Sequence, residues 1–186
     1  MNFVQPIRDK NKLEEMKEEL KKSGTRNYMM FLIGINSGMR VSDIVGLNRD
    51  DIRDEYGNMR SHITVIEKKT KKIKKFPIYN DLYTELEKYT RNMNQGEYLF
   101  QSQIGTNKPI TTTQAYRILK KASANIGLTE VGTHTMRKTF GYHHYQQYHD
   151  EAVLQTIYNH SSPSITLRYI GISQDEIDNS YRNFSL

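Results

Sequence analysis

The chain has no cysteine in 186 residues. That excludes a disulfide scaffold, a thiolate zinc site and a cysteine nucleophile. Proline occurs four times, and no Pro/Gly-rich linker, internal repeat or low-complexity tract divides the sequence. Long apolar runs are also missing. The longest, Tyr28 to Ile35, is far short of the roughly 20 residues a membrane span needs. Residues Met1 to Arg8 lack the apolar core of a secretory signal. With a mean hydropathy of −0.76, a soluble, cytoplasmic protein is the expectation, with no membrane partner.

What is present is charge, and its placement matters more than its total. The net charge is +6. Residues 61–75 hold six lysines against Glu67 alone, while the segments on either side are close to neutral. One concentrated basic element fits a polyanion partner. It fits a solvated lysine-rich loop equally well.

The residue pattern predicts an α+β domain, mainly helical with one small antiparallel sheet. Asn11 with Glu14 reads as a capping box for a helix that carries Leu13, Met16 and Leu20. A second helix from about Thr25 carries Met29, Phe31, Leu32 and Ile35, with Gly38 to stop it. Val41 to Leu47 reads as a short apolar helical turn. Residues 61–67 and 73–78 favour two strands, with the lysine-rich segment Lys68 to Lys72 at the tip of the hairpin. Asn80 caps a helix with Leu82, Leu86 and Tyr89. Thr111 to Thr113 open another with Tyr116, Leu119 and Ala122 inside. Helices from about Thr133 and Asp150 follow. A last one starts at Ser173, with Glu176 as capping partner and a stripe of Ile177, Tyr181 and Phe184.

Three polar segments fall outside this packing logic: Gly38-Met39-Arg40-Val41-Ser42-Asp43, His134-Thr135-Met136-Arg137, and His160-Ser161-Ser162 with Tyr169 nine residues after the histidine. With a hairpin lysine, the set suits chemistry on a phosphodiester. Two guanidiniums clamp non-bridging oxygens and neutralise charge that grows in the transition state. A phenol attacks phosphorus. A lysine protonates the leaving alkoxide, and a histidine moves the phenol's proton. The residue types leave Lys68, Lys69, Lys71 and Lys72 equally placed for the lysine's role.

In order and spacing these segments, together with Lys68-Lys69-Thr70, resemble the catalytic domain of the tyrosine recombinases, the phage integrase family, from about Leu13 to the C-terminus. The resemblance implies a DNA strand-exchange enzyme with no cofactor. By it, Arg40 and Arg137 bind the scissile phosphate and Tyr169 forms a 3′-phosphotyrosyl link. Lys69 is the general acid, and His134 and His160 bond the phosphate and assist proton transfer. Asp43 matches an acidic position that supports the site. Lys68, Lys71, Lys72 and Lys74 become DNA-phosphate contacts. Two departures from the family pattern stand out: Asn159 in place of the glycine before the histidine, and Asp43 in place of glutamate.

The resemblance further implies double-stranded DNA as partner and a homo-oligomer on DNA through the last helix. Residues 1–186 leave no room for the N-terminal helical domain most members carry, so a single catalytic domain is expected. The rival from another class is a non-catalytic DNA-binding module that uses the lysine hairpin. A second cluster, His143, His144 and His149, lacks an obvious fourth ligand for zinc, and no metal is expected.

Overall fold

The computed structural model describes residues 4–69 and 71–182. The first helix, α1 (Lys10–Lys22), is capped by Asp9, whose side chain accepts from Asn11 N–H at 2.8 Å. The cap therefore lies two residues before the expected Asn11, because Asp9 is the extended residue whose carboxylate reaches the first orphan N–H. Met16 and Leu20 are buried as the spacing predicts.

In α2 (Thr25–Ser37) every residue from Tyr28 to Ile33 is buried. A helix apolar on all sides belongs at the centre, and α2 packs against α1, α4 (Asn80–Thr90) and α6 (Thr135–Tyr148). It ends at Gly38, whose φ of +64° is left-handed. A Cβ there would meet the Phe140 ring at 2.6 Å, so backbone conformation and close packing both call for glycine. The short α3 (Val41–Ile44) follows at once, then a 3-10 turn over Arg49–Asp51.

Strands β1 (His62–Ile66) and β2 (Ile73–Pro77) pair antiparallel, with Ile63 opposite Phe76 and both buried. The hairpin is closed by Glu67 N–H donating to Lys72 O at 3.0 Å and by Lys71 N–H donating to Glu67 O at 2.9 Å. The next helix, α4, is capped by Tyr79 and has Asn80 as its first residue, so the cap lies one position earlier than expected.

Helix α5 (Thr112–Asn125) carries a Thr111–Gln114 capping box. It buries Ala115, Leu119 and Ala122, but Tyr116 is exposed. Residues 115, 119 and 122 form the inward i, i+4, i+7 row, and Tyr116 lies one position off it.

The C-terminal third is α6, α7 (Glu151–Tyr158, capped by Asp150), α8 (Pro163–Ile170) and α9 (Ile172–Arg182). The sequence reading has no separate helix at α8. Its eight residues are specified by Ser162 at the cap and Pro163 in the first turn. The last helix begins one residue before the expected Ser173. In its expected stripe, Tyr181 is exposed, while Phe184 and the side chain of Ile177 lie outside the described residues.

Buried side chains form two clusters. The larger runs from Ile7 to Met136 through α1–α6. The smaller is Leu154, Tyr158, Ile170 and Ile172, with Phe140, Tyr145 and Tyr169 packed against it. Among the described residues, no helix is long and apolar enough to cross a membrane.

Candidate active site

The seam between the two clusters brings most of the motif residues together. Arg137, on the first turn of α6, is buried and spans it. Its guanidinium donates to Gly38 O on the larger-core side and to Tyr158 O, at 3.2 Å, on the smaller-core side. The guanidinium also lies 4.2 Å from the centre of the Tyr158 ring, a cation–π contact. Tyr158 is fully buried, and its hydroxyl returns a hydrogen bond to Arg137 O at 2.6 Å. Burial pushes that phenol well above the ordinary tyrosine value. Tyr158 is thus a platform for Arg137. Its partner lies 21 residues away, so no local pattern in the sequence marks this role.

Arg40 caps α3 directly after the Gly38 turn. Its Nη1 pairs with Glu67 Oε1 on the hairpin. Three residues on, Asp43 is buried and accepts from Lys68 N–H at 3.0 Å. Asp43 therefore fastens the start of the hairpin tip to α3.

Tyr169 sits near the end of α8, half-buried, its ring edge-on to His134, Tyr158 and His160. His134 Nδ1 lies 3.0 Å from Tyr169 Oη. Burial raises the phenol's pKa, while Arg137 and Arg40 pull it down. Burial, then Arg137, Lys138, Arg40 and Lys69, lower His134; burial, Arg137 and Arg40 lower His160. With both below the ordinary value of about 6.5, the imidazoles are neutral at pH 7 and able to accept a proton. His160 Nδ1 is held 3.0 Å from Thr166 Oγ1 of α8, which ties this histidine to the helix that carries Tyr169.

Asn159, the departure from the family's glycine, is the C-cap of α7 with φ +56°. After glycine, asparagine is a residue that enters this left-handed region readily, so the substitution keeps the turn that delivers His160.

The hairpin lysines divide into two sets. Lys74 Nζ donates to Thr156 O at 2.7 Å in the last turn of α7, and burial lowers its pKa. Lys72 Nζ donates to Asn159 Oδ1 at 2.7 Å. These two hold the hairpin on the end of α7, where a cation complements the helix dipole. Lys68, Lys69 and Lys71 are exposed. Lys69 lies near enough to act electrostatically on His134. The second histidine cluster has other surroundings: His143 Nε2 is 2.9 Å from Ile7 O, His144 packs between Phe140 and Tyr148, and His149 is the left-handed cap of α6.

The chain is similar to known proteins in both sequence and fold. The chain is 49% identical over 184 residues to the probable integrase/recombinase YoeC of Bacillus subtilis strain 168, covering 99% of this chain and 98% of that one. It is 28% identical to the tyrosine recombinase XerA of Pyrococcus furiosus over 93% of its own length, but spans 60% of that protein. In fold it matches the crystal structure of the XerH site-specific recombinase bound to a palindromic difH substrate as a post-cleavage complex. There the TM-score is 0.71 at 20% identity, over 98% of this chain and 53% of that one. The family model for the phage integrases matches residues 8–176, a span that includes Arg40, Arg137 and Tyr169, and the chain belongs to the phage integrase family.

Proposed function

We propose that this chain is a site-specific DNA recombinase or integrase acting on double-stranded DNA through a 3′-phosphotyrosyl intermediate. The observation that carries the reading is Tyr169 Oη at 3.0 Å from a neutral His134, beside the seam that Arg137 spans. Tyr169 Oη attacks the scissile phosphorus while its proton passes to His134 Nδ1. With Nδ1 accepting, the neutral ring carries its proton on Nε2, which leaves that N–H to donate to the phosphate. Arg40 and Arg137 neutralise the charge that builds on the non-bridging oxygens. The bond to the 5′-oxygen breaks, and Lys69 gives that oxygen its proton. A 5′-hydroxyl from the partner strand reverses the sequence. One phosphodiester is exchanged for another ester of similar energy, so the chemistry needs no nucleotide cofactor.

Lys68 and Lys71 are the phosphate contacts of the hairpin, and Lys72 and Lys74 keep it on α7. Incubation with nicked suicide DNA tests the function: the enzyme traps a covalent adduct, whereas the rival, a non-catalytic binding module, gives none. The same substrate tests the hairpin. Lys69→Ala is expected to slow cleavage strongly with little change in affinity. A 5′-bridging sulfur restores its rate, because a thiolate leaves without a proton. Lys71→Ala instead lowers affinity and reduces the salt slope by about one counterion. Sulfur rescue in Lys68→Ala but not in Lys69→Ala would move the general acid one residue earlier.

For the last helix, the reading is that α9 couples the tyrosine to a neighbouring protomer in a homo-oligomer on DNA. In its support, α9 begins two residues after Ile170, carries Asp175 and Asp178, and exposes Tyr181. An acidic surface avoids DNA and faces protein. In the isolated chain, Asp175 is paired with Arg8 at 3.2 Å. Deleting residues after Ser173 is expected to reduce recombination of paired sites more than binding to one site. Recombination at the full rate by the shortened protein would refute the coupling.

A further inference from the structure

Directly after strand β1 the chain buries a carboxylate where the strand's alternation, continued one step, calls for an apolar side chain. Ile63, Val65 and Glu67 share one face by the period of two. Glu67 is 1% exposed, less than Val65 beside it. A carboxylate this deep is costly unless it is paired, and its partner is Arg40. The turn fixes the backbone of Glu67 at both ends, through its N–H to Lys72 O and its C=O from Lys71 N–H. The acid is therefore aimed by the same hairpin that carries Lys69.

The pairing uses one corner of the Arg40 fork. Nη1 is taken by Glu67, while Nη2 and Nε make no hydrogen bond to the described residues. A guanidinium held at one corner presents the other donors in a fixed direction, as a bidentate contact with a phosphate needs. Glu67 also acts electrostatically on Lys74 and Arg137, which makes it a counter-charge of the whole basic cluster. Asp43 adds a second tie between the same two segments through Lys68 N–H.

Resting on the recombinase reading, we propose that Glu67 is a positioning residue for strand cleavage, holding Arg40 by Nη1 so that its remaining N–H groups meet the scissile phosphate. Arg40 and the general-acid hairpin are then placed by one ion pair, and a shift of the hairpin moves both together.

The test is single-turnover cleavage of nicked suicide DNA at saturating concentration by the full chain. Its variants are Glu67→Gln, Glu67→Asp, Arg40→Ala and the double variant Arg40→Ala with Glu67→Gln. Glu67→Gln is expected to slow cleavage by on the order of 10²-fold, the scale of a misplaced catalytic group, with DNA affinity unchanged. Glu67→Asp recovers part of the rate. The double variant matches Arg40→Ala within about twofold, because the effect of Glu67 on cleavage is exerted by positioning Arg40. A substrate with a methyl in place of one non-bridging oxygen at the scissile phosphate carries no charge there. On it, Glu67→Gln and Arg40→Ala both approach the wild-type rate, whereas a merely misfolded hairpin stays slow on either substrate. Faster cleavage by Glu67→Gln would overturn the proposal and make Glu67 a competitor of the phosphate. A further loss from Glu67→Gln in the Arg40→Ala background would overturn it in favour of a purely structural role. If wild type itself leaves no adduct, the recombinase reading fails and this inference with it; if wild type cleaves and the cycle is additive, only this inference fails.

Discussion

Tyr169→Phe is expected to reduce covalent adduct on suicide DNA to nothing measurable while leaving DNA affinity nearly unchanged. The substitution removes one oxygen. That oxygen contributes no charge to a polyanion interface, so the salt-dependent part of binding stays. Its contact with His134 Nδ1 at 3.0 Å is worth about 0.5–1.5 kcal/mol at most, and the ring keeps its packing against Tyr158 and His160. Folding is therefore spared and only the nucleophile is lost. Neither tyrosine flanking it in the sequence is placed to substitute. Tyr158 is buried with its hydroxyl committed to Arg137 O, and Tyr181 is 77% exposed on α9. Adduct at the wild-type level in Tyr169→Phe, measured on denaturing gels, would remove Tyr169 from the reaction.

Arg137→Ala is expected to slow cleavage by about 10²–10³, the usual cost of one transition-state donor, and also to lower stability. Arg137 does a second job that Arg40 does not share. Its guanidinium joins Gly38 O to Tyr158 O across the seam, so truncation leaves buried carbonyls without their donor, at about 1–3 kcal/mol each. Arg137→Lys keeps a positive charge in the seam but cannot reproduce a forked contact. It should recover stability further than it recovers rate. Single-turnover rates and urea melts on the same three proteins separate the two effects. A full rate in Arg137→Ala would reject the clamp. Loss of rate with no change in the melt would reject the bridging role. The rate losses of Arg137→Ala and Arg40→Ala are not expected to add, since both act on one phosphate.

The parts of this picture legible in the sequence are those written in local patterns. Gly38 stops α2, the two strands alternate around a lysine-rich tip, and the motif residues recur at family spacing. All of these depend on neighbours within a few positions. The parts that were not legible depend on distant partners or on short elements. Glu67 reads as one acid among lysines until folding sets it against Arg40, 27 residues away. Lys72 and Lys74 read as exposed charge until β2 lies along the end of α7. Helix α8 is barely two turns long, too short for a periodic signal, though Ser162 and Pro163 mark its start. Tyr116 shows the limit of reading a helix face from single residues, since one step in register moves a side chain through about 100°. The division of the core into two clusters has no local signature at all. It is the feature with the most direct bearing on mechanism, because it places Tyr169 on the smaller cluster and Arg40 beside the larger.

The central claim is that Tyr169 becomes joined to a DNA 3′-phosphate. The most direct measurement traps wild-type protein on nicked suicide DNA, digests both components and locates the nucleotide adduct by mass spectrometry. The account predicts a nucleotide on the peptide containing Leu167-Arg168-Tyr169, attached through a 3′-phosphate to the Tyr169 oxygen. An adduct on any other residue, or linkage through a 5′-phosphate, would contradict it.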